Sequence, residues 1–163
     1  KTLKILERFP LKKLMVLLSI MLCIAGNAMA QKDIKAVGIQ LNYGTKIESF
    51  SLGVKFQQNI TNEIRLEPSA NYYFANKGID MFDLNFNAHY LFPMASNIRL
   101  YPLVGLTFER WDIFRVKNRL GANIGAGVEF DIADRWMTNI EFKHKLVKDY
   151  NQSIFSVGLA YMF

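Results

Sequence analysis

From Lys35 onward the chain repeats one pattern, about ten residues with every second one apolar, followed by a short polar or glycine-containing break. A period of two puts neighbouring side chains on opposite faces of an extended strand. The first segment sets Val37, Ile39, Leu41 and Tyr43 against Gly38, Gln40 and Asn42; the second sets Phe50, Leu52, Val54 and Phe56 against Ser51, Gly53 and Lys55. In the third, Ile64, Leu66, Ala70, Tyr72 and Phe74 oppose Glu63, Arg65, Glu67, Ser69 and Asn71, and in the fourth Phe82 to Phe92 alternate with Asp83, Asn85, Asn87 and His89. The fifth runs from Ile98 to Phe108, the sixth from Leu120 to Phe130, the seventh from Trp136 to Leu146 and the eighth from Phe155 to Phe163. No helical period competes, so the pattern predicts an all-β chain of eight antiparallel strands.

Alternation alone does not say which face is inside; volume decides it. An eight-stranded barrel has an interior just wide enough for side chains, and roughly forty mostly large apolar residues would overfill it. The other face fits a narrow lumen. It carries Lys55, Arg65, Glu67, Asp83, His89, Arg99, Arg119, Glu129, Arg135, Glu141, Lys143 and Lys145, charges of both signs that are expected to pair into a plug-like polar network. The apolar face then turns outward to lipid, where a closed barrel satisfies every backbone polar group. Its aromatics fall at two levels, Phe56, Tyr90, Phe92, Phe130, Trp136, Tyr161 and Phe163 at one and Tyr43, Phe50, Phe74, Phe82, Phe108 and Phe155 at the other, as interfacial girdles would. Pro68 and Pro102 lie inside the third and fifth segments, where a missing N–H predicts bulges or local breaks.

Residues 1–13 carry Lys1, Lys4, Arg8, Lys12 and Lys13 against Glu7, an apolar run from Leu14 to Ala25 follows, and Ala28-Met29-Ala30 has the small-x-small form of a cleavage site. Residues 1–30 therefore read as a signal peptide cleaved after Ala30, since the run is too short for a transmembrane helix. This removes most of the basic excess: the formal charge of +6 falls to +2 over residues 31–163, with 15 basic and 13 acidic residues of mixed placement. Nucleic-acid binding loses its support. Cys23 leaves with the leader, and Leu22 before it argues against lipoprotein acylation, so the barrel domain at 31–163 has no thiol, disulfide or Cys-based metal site.

The last stretch, with Phe155, Val157, Leu159, Tyr161 and Phe163 at alternate positions, resembles the C-terminal assembly signal of outer-membrane barrels. The whole of residues 33–163, with segments such as Tyr101–Gly105 and Gly121–Phe130, resembles the small eight-stranded outer-membrane barrel family of the OmpX and OmpA-transmembrane-domain type, the porin-like outer membrane proteins. The resemblance implies a Gram-negative outer-membrane location, a periplasmic N-terminus, handling by the barrel-assembly machinery, contact with outer-membrane lipid and a monomeric state.

With that orientation the outside loops fall near residues 44–48, 75–80, 109–117 and 147–152. The third carries Arg110, Trp111, Asp112, Phe114 and Arg115, the candidate surface-contact patch for a ligand the sequence does not identify. A structural or surface-interaction barrel with a filled lumen ranks first; a small-solute channel and a lipid A-modifying acyl hydrolase are the alternatives. Nothing in the chain calls for a cofactor. Neither His89 nor His144 falls in metal-ligand spacing, and His144, on the lipid-facing row, has no serine beside it because Ser153 belongs to another segment.

Overall fold

The alternating segments become strands: β1 (Lys35–Gly44), β2 (Ser49–Asn59), β3 (Ile64–Asn76), β4 (Ile79–Tyr90), β5 (Phe92–Ala95), β6 (Ile98–Asp112), β7 (Val116–Ala133), β8 (Trp136–Val147) and β9 (Gln152–Met162). The computed structural model describes residues 34–112 and 114–163. The chain divides into two units, Lys1–Gln31 and Lys32–Phe163. The signal peptide expected at residues 1–30, its cleavage point and Cys23 lie outside the described residues.

All pairings among the described strands are antiparallel, in the order β4-β3-β2-β1-β9-β8-β7-β6-β5, and β4 also pairs β6, which closes the sheet on itself. β5 continues the register of β4, because Phe92↔Leu100 and Pro93↔Arg99 follow from His89↔Leu103 without a shift. Together they make one stave interrupted at Leu91, so the ring is an eight-stave up-and-down barrel. Its seam lies between β1 and β9, where Val37↔Tyr161 and Tyr43↔Phe155 place the C-terminal alternating residues against the first strand. A closed ring leaves no sheet edge along the wall, which is what a hydrocarbon surrounding demands.

Parity survives intact along the strands. Val37, Ile39, Leu41, Leu52, Val54, Val104, Leu106, Ile124, Ile140 and Val157 are exposed on the outer surface, while their sequence neighbours Gln40, Ser51, Lys55, Thr107, Asn123, Glu141 and Ser156 are buried inside. The aromatic residues pack on the outer face in cross-strand and same-strand pairs. Tyr90–Phe92 and Trp136–Tyr161 lie near one end; Tyr43–Phe50, Tyr72–Phe74 and Phe142–Phe155 lie towards the other.

Bulges do not form at the two prolines. Pro68↔Phe86 and Pro102↔Ala126 sit in unshifted register, with both rings on the outward row. The missing N–H costs ladder, not register. Between β2 and β3 the ladder lapses from Lys55↔Ser69 to Gln58↔Leu66, opposite Pro68. The β4–β6 ladder ends one pair before Pro102, which is why the stave divides there; on the other side the Leu91 N–H still donates to the Glu63 carbonyl of the β3 side at 2.6 Å. Irregular register occurs near strand ends, between Tyr73 and Asn76, Pro93 and Ala95, and Asp131 and Ala133.

One end of the barrel is closed by the turns at 60–63, 96–97 and 134–135; the other carries the connections 45–48, 77–78, 113–115 and 148–151. Lys77 and Gly78 form a two-residue turn with φ of 53° and 78°, the pair of positive values that a type I′ hairpin requires and that Gly78 supplies without strain. The loop expected at 109–117 is shorter than its sequence suggests. β6 and β7 continue as a paired hairpin to Asp112↔Val116, because the alternation persists through Glu109, Arg110, Trp111 and Asp112. β6 ends at Asp112 and β7 begins at Val116, with Phe114 and Arg115 exposed between them.

Candidate functional site: the charged lumen and its rim

The lumen is built from the inward row of every stave, and its charges gather at three levels. At the turn end, Arg65 on β3 grips Glu129 on β7 across the barrel, Nη1 donating to Oε2 at 2.5 Å and Nη2 to Oε1 at 3.0 Å, while its Nε donates to Asn59 at 2.9 Å. Arg99 on β6 donates to Glu129 as well and holds Asp131 through two bonds of 2.6 and 2.8 Å. Glu129 is thus held bidentately by Arg65 and by one further bond from Arg99, whose own fork grips Asp131, the bidentate geometry that suits Arg.

At mid-height, Lys55 donates to the Asn139 side-chain oxygen at 2.6 Å and lies 3.8 Å from Glu67, which also accepts from Gln57 at 2.6 Å. Lys143 donates to Glu141 at 3.1 Å, and the Tyr101 hydroxyl donates to the other Glu141 oxygen at 2.9 Å. His89 stacks on Tyr101 with 4.5 Å between centroids. Gly127 makes room for that ring: a Cβ there would meet Tyr101 Cζ and Oη at 2.4 Å.

Above this, Lys145 on β8 donates to Asp83 and to Thr107, the latter at 3.2 Å, and lies 3.2 Å from Glu109. Asn71 and Asn85 each donate to Asp83 at 2.7 Å. Over this layer sits an apolar lid of Ile47, Tyr73, Met81, Trp111 and Ile154, with Tyr150 and Ile79 packed against it. Trp111 is joined to the charges below by donating Nε1–H to Glu109 at 2.8 Å.

Buried lumen charge is nearly balanced. Glu67, Asp83, Glu109, Glu129 and Glu141 face Lys55, Arg65, Lys143 and Lys145, with Arg99 half-buried at the mouth. An isolated ion would cost several kcal/mol in such surroundings; pairing and hydrogen bonding offset that cost. Of the twelve charged positions expected inside, nine are buried in the lumen, Lys55, Arg65, Glu67, Asp83, His89, Glu129, Glu141, Lys143 and Lys145. The other three depart from the expectation by degrees. Arg99 is at the turn-end mouth; Arg119 is at the opposite rim, where Nη1 donates to the Lys148 carbonyl; Arg135 is exposed in the β7–β8 turn, 3.3 Å from the Tyr161 hydroxyl. Strand ends outrun the lumen, so inward parity there no longer means burial.

Sequence reasoning missed Glu109 and placed Trp111 in an exposed patch; both are buried on the inward row of β6, continuing Tyr101, Leu103 and Thr107. Parity counted through Phe108 would have found them. Of the remaining contact-patch residues, Asp112, Phe114 and Arg115 are exposed and Arg110 is half-buried on the outward row. Phe155, Val157, Leu159 and Phe163 are exposed on the outer face of β9, with Tyr161 half-exposed among them.

Two further juxtapositions are invisible in the sequence. Glu67, His89 and Glu141 bring one ligand atom each within 4.8 Å of one another, contrary to the expectation that neither histidine would join a ligand constellation. Lys55 and Lys143 already stand beside the two carboxylates, so a divalent ion there would have to displace an ammonium group. His144 and Ser153 are register partners, with Nδ1 3.1 Å from Oγ on the lipid-facing side. Among the described residues no carboxylate is bonded to that imidazole, and mutual hydrogen bonding satisfies two polar groups that face outward near lipid.

The profile of the outer membrane protein beta-barrel domain family matches residues 15–163. The chain belongs to that family. As a member of the outer membrane protein beta-barrel domain family it is a barrel of the outer membrane, and its fold is shared with solved members of that architecture. The N-terminal β-barrel domain of Pseudomonas aeruginosa OprF superposes with a TM-score of 0.67 at 17% identity, covering 78% of this chain and 97% of that one. Neisserial surface protein A gives 0.64 at 15%, covering 82% and 98%. Ail, the attachment invasion locus protein of Yersinia pestis, gives 0.59 at 14%, covering 80% and 97%. At such identities the likeness is one of fold. No curated protein matches the sequence.

Proposed function

We propose that this outer-membrane barrel is a closed, monomeric scaffold: its lumen is a structural core that does not conduct, and its working surface is the rim formed by the 45–48, 77–78, 113–115 and 148–151 connections, facing outward from the cell. The observation that carries this reading is occlusion at every level. Arg65–Glu129–Arg99 span one mouth, the Lys143–Glu141–Tyr101 group fills the middle, and Trp111, Tyr73 and Met81 lid the other end. An eight-stave interior has room for side chains and little else. Phe114, fully exposed at the tip of the β6–β7 hairpin, leads the surface offered to a partner.

Cysteine accessibility tests both halves of the proposal. In a Cys23→Ser background, a membrane-impermeant thiol reagent added to intact cells is expected to label Phe114→Cys rapidly and to leave Thr107→Cys unlabelled, since Thr107 is buried against Lys145. Comparable labelling of the two would show an open lumen. Labelling of Phe114→Cys only after the cells are broken would show the opposite orientation.

A further inference from the structure

Above the closed ring, at the rim, β7 outruns its neighbour β8. β7 pairs with β6 as far as Asp112↔Val116, yet its pairing with β8 ends at Gly121↔Val147. Residues 116–120 therefore turn a backbone edge towards the 148–151 connection with no strand against it, and a cleft of about 430 Å³ opens there. Lys117, Asn118, Arg119, Leu120, Lys148 and Asp149 line it.

Three cations and one carboxylate give the cleft a positive excess, and among the described residues neither Lys117 nor Lys148 has an ion-pair partner. Arg119 is held in place: it donates to the Lys148 carbonyl at 2.5 Å, and its guanidinium lies 3.6 Å from the centroid of Tyr150, which packs in turn on Trp111. One donor is used and the rest of the fork remains, pre-oriented for an anion. On the outward row of the same strand the surface changes character. Leu120 is 71% exposed, and Phe108 and Leu146 beside it are exposed on the same outward row. A charged notch on top of a lipid-facing apolar strip has the two-part chemistry of a lipid whose head is anionic.

We propose that this cleft binds the phosphate-bearing head group of an outer-leaflet lipid, with Lys117, Arg119 and Lys148 around the phosphate and the acyl chains lying along Leu120 and Leu146. Clustered basic side chains recognise lipid head groups by charge, and Arg and Lys bind phosphate through charge-assisted hydrogen bonds. The assignment rests on the proposed outward orientation of the rim, which the Phe114→Cys labelling reads separately.

The test is lipid retention by the purified protein in neutral-detergent micelles doped equally with phosphatidic acid and phosphatidylcholine, read by native mass spectrometry. The protein is expected to keep phosphatidic acid in preference to phosphatidylcholine. Lys117→Gln/Lys148→Gln should weaken that retention about thirtyfold, with unchanged heat-modifiable gel migration as the check on folding. Leu120→Asn should weaken it as well, because the chains lose their strip. Equal retention of the two lipids, or equal retention by parent and double variant, would overturn the proposal. Displacement of the lipid by an equal concentration of inorganic phosphate would also overturn it, by showing a site for soluble anions. None of these outcomes depends on whether the lumen conducts.

Discussion

Replacing Glu129 by alanine is expected to destabilise the folded barrel by about 3–5 kcal/mol. The reason is what the substitution leaves behind. Arg65 is 2% exposed and spends two of its donors on Glu129; without that carboxylate it keeps only the bond to Asn59. Arg99 suffers less, since Asp131 still accepts two bonds from it and the side chain reaches the mouth. Removing both partners should be far milder: in Arg65→Met/Glu129→Leu no charge is stranded, and apolar groups of similar volume fill the space. Urea titration in lipid vesicles, followed by the folded and unfolded bands on an unheated gel, measures both variants. If Glu129→Ala and the double variant unfold at the same denaturant concentration, the ion pair is not the structural element it is taken to be here.

A second large effect is expected on the opposite face. Val104 sits on the outward row of β6 between Ala88 and Ile124, 59% exposed and away from either rim. Val104→Arg should cost about 2–4 kcal/mol if that surface meets the hydrocarbon core, where a guanidinium has no partner. A surface facing water would accept the same substitution within about 0.5 kcal/mol. The same titration therefore reports which solvent the outer face sees.

Period-two alternation made the staves and their inward rows legible from the sequence alone, because it is a local property and needs no partner. Lys55, Glu67, Glu141 and Lys143 were placed inside by parity, and the structure buries each of them. Parity was less useful where a segment's end had to be judged from polarity. The charged run at 109–112 reads as a loop, yet Glu109 has an inward partner in Lys145 and Trp111 an apolar lid to join, so the strand continues. The prolines were half legible: Pro68 and Pro102 break the ladder locally, as their missing N–H implies, but face outward and form no bulge, so the register does not move. Neighbours on other strands were beyond reach. Arg65 and Glu129 meet, and His144 and Ser153 pair, through a register fixed by turn lengths and by shear around the ring.

The chain of contacts from Arg119 through Tyr150 and Trp111 to Glu109 and Lys145 ties the rim to the lumen core. A rim anchored this way is rigid at its base, while the exposed tip at Phe114 stands clear of it. Rigidity below and exposure above suit a scaffold that presents a surface.

Single-channel recording of the protein in a planar bilayer tests the closed lumen most directly. The packed ion pairs and apolar lid predict a silent bilayer, with no unitary steps at any holding potential at which the membrane survives. Steady, reproducible steps from the unaltered protein would contradict that account, and their loss or change on replacing Arg99 and Glu141 by alanine would place the conducting path through the lumen.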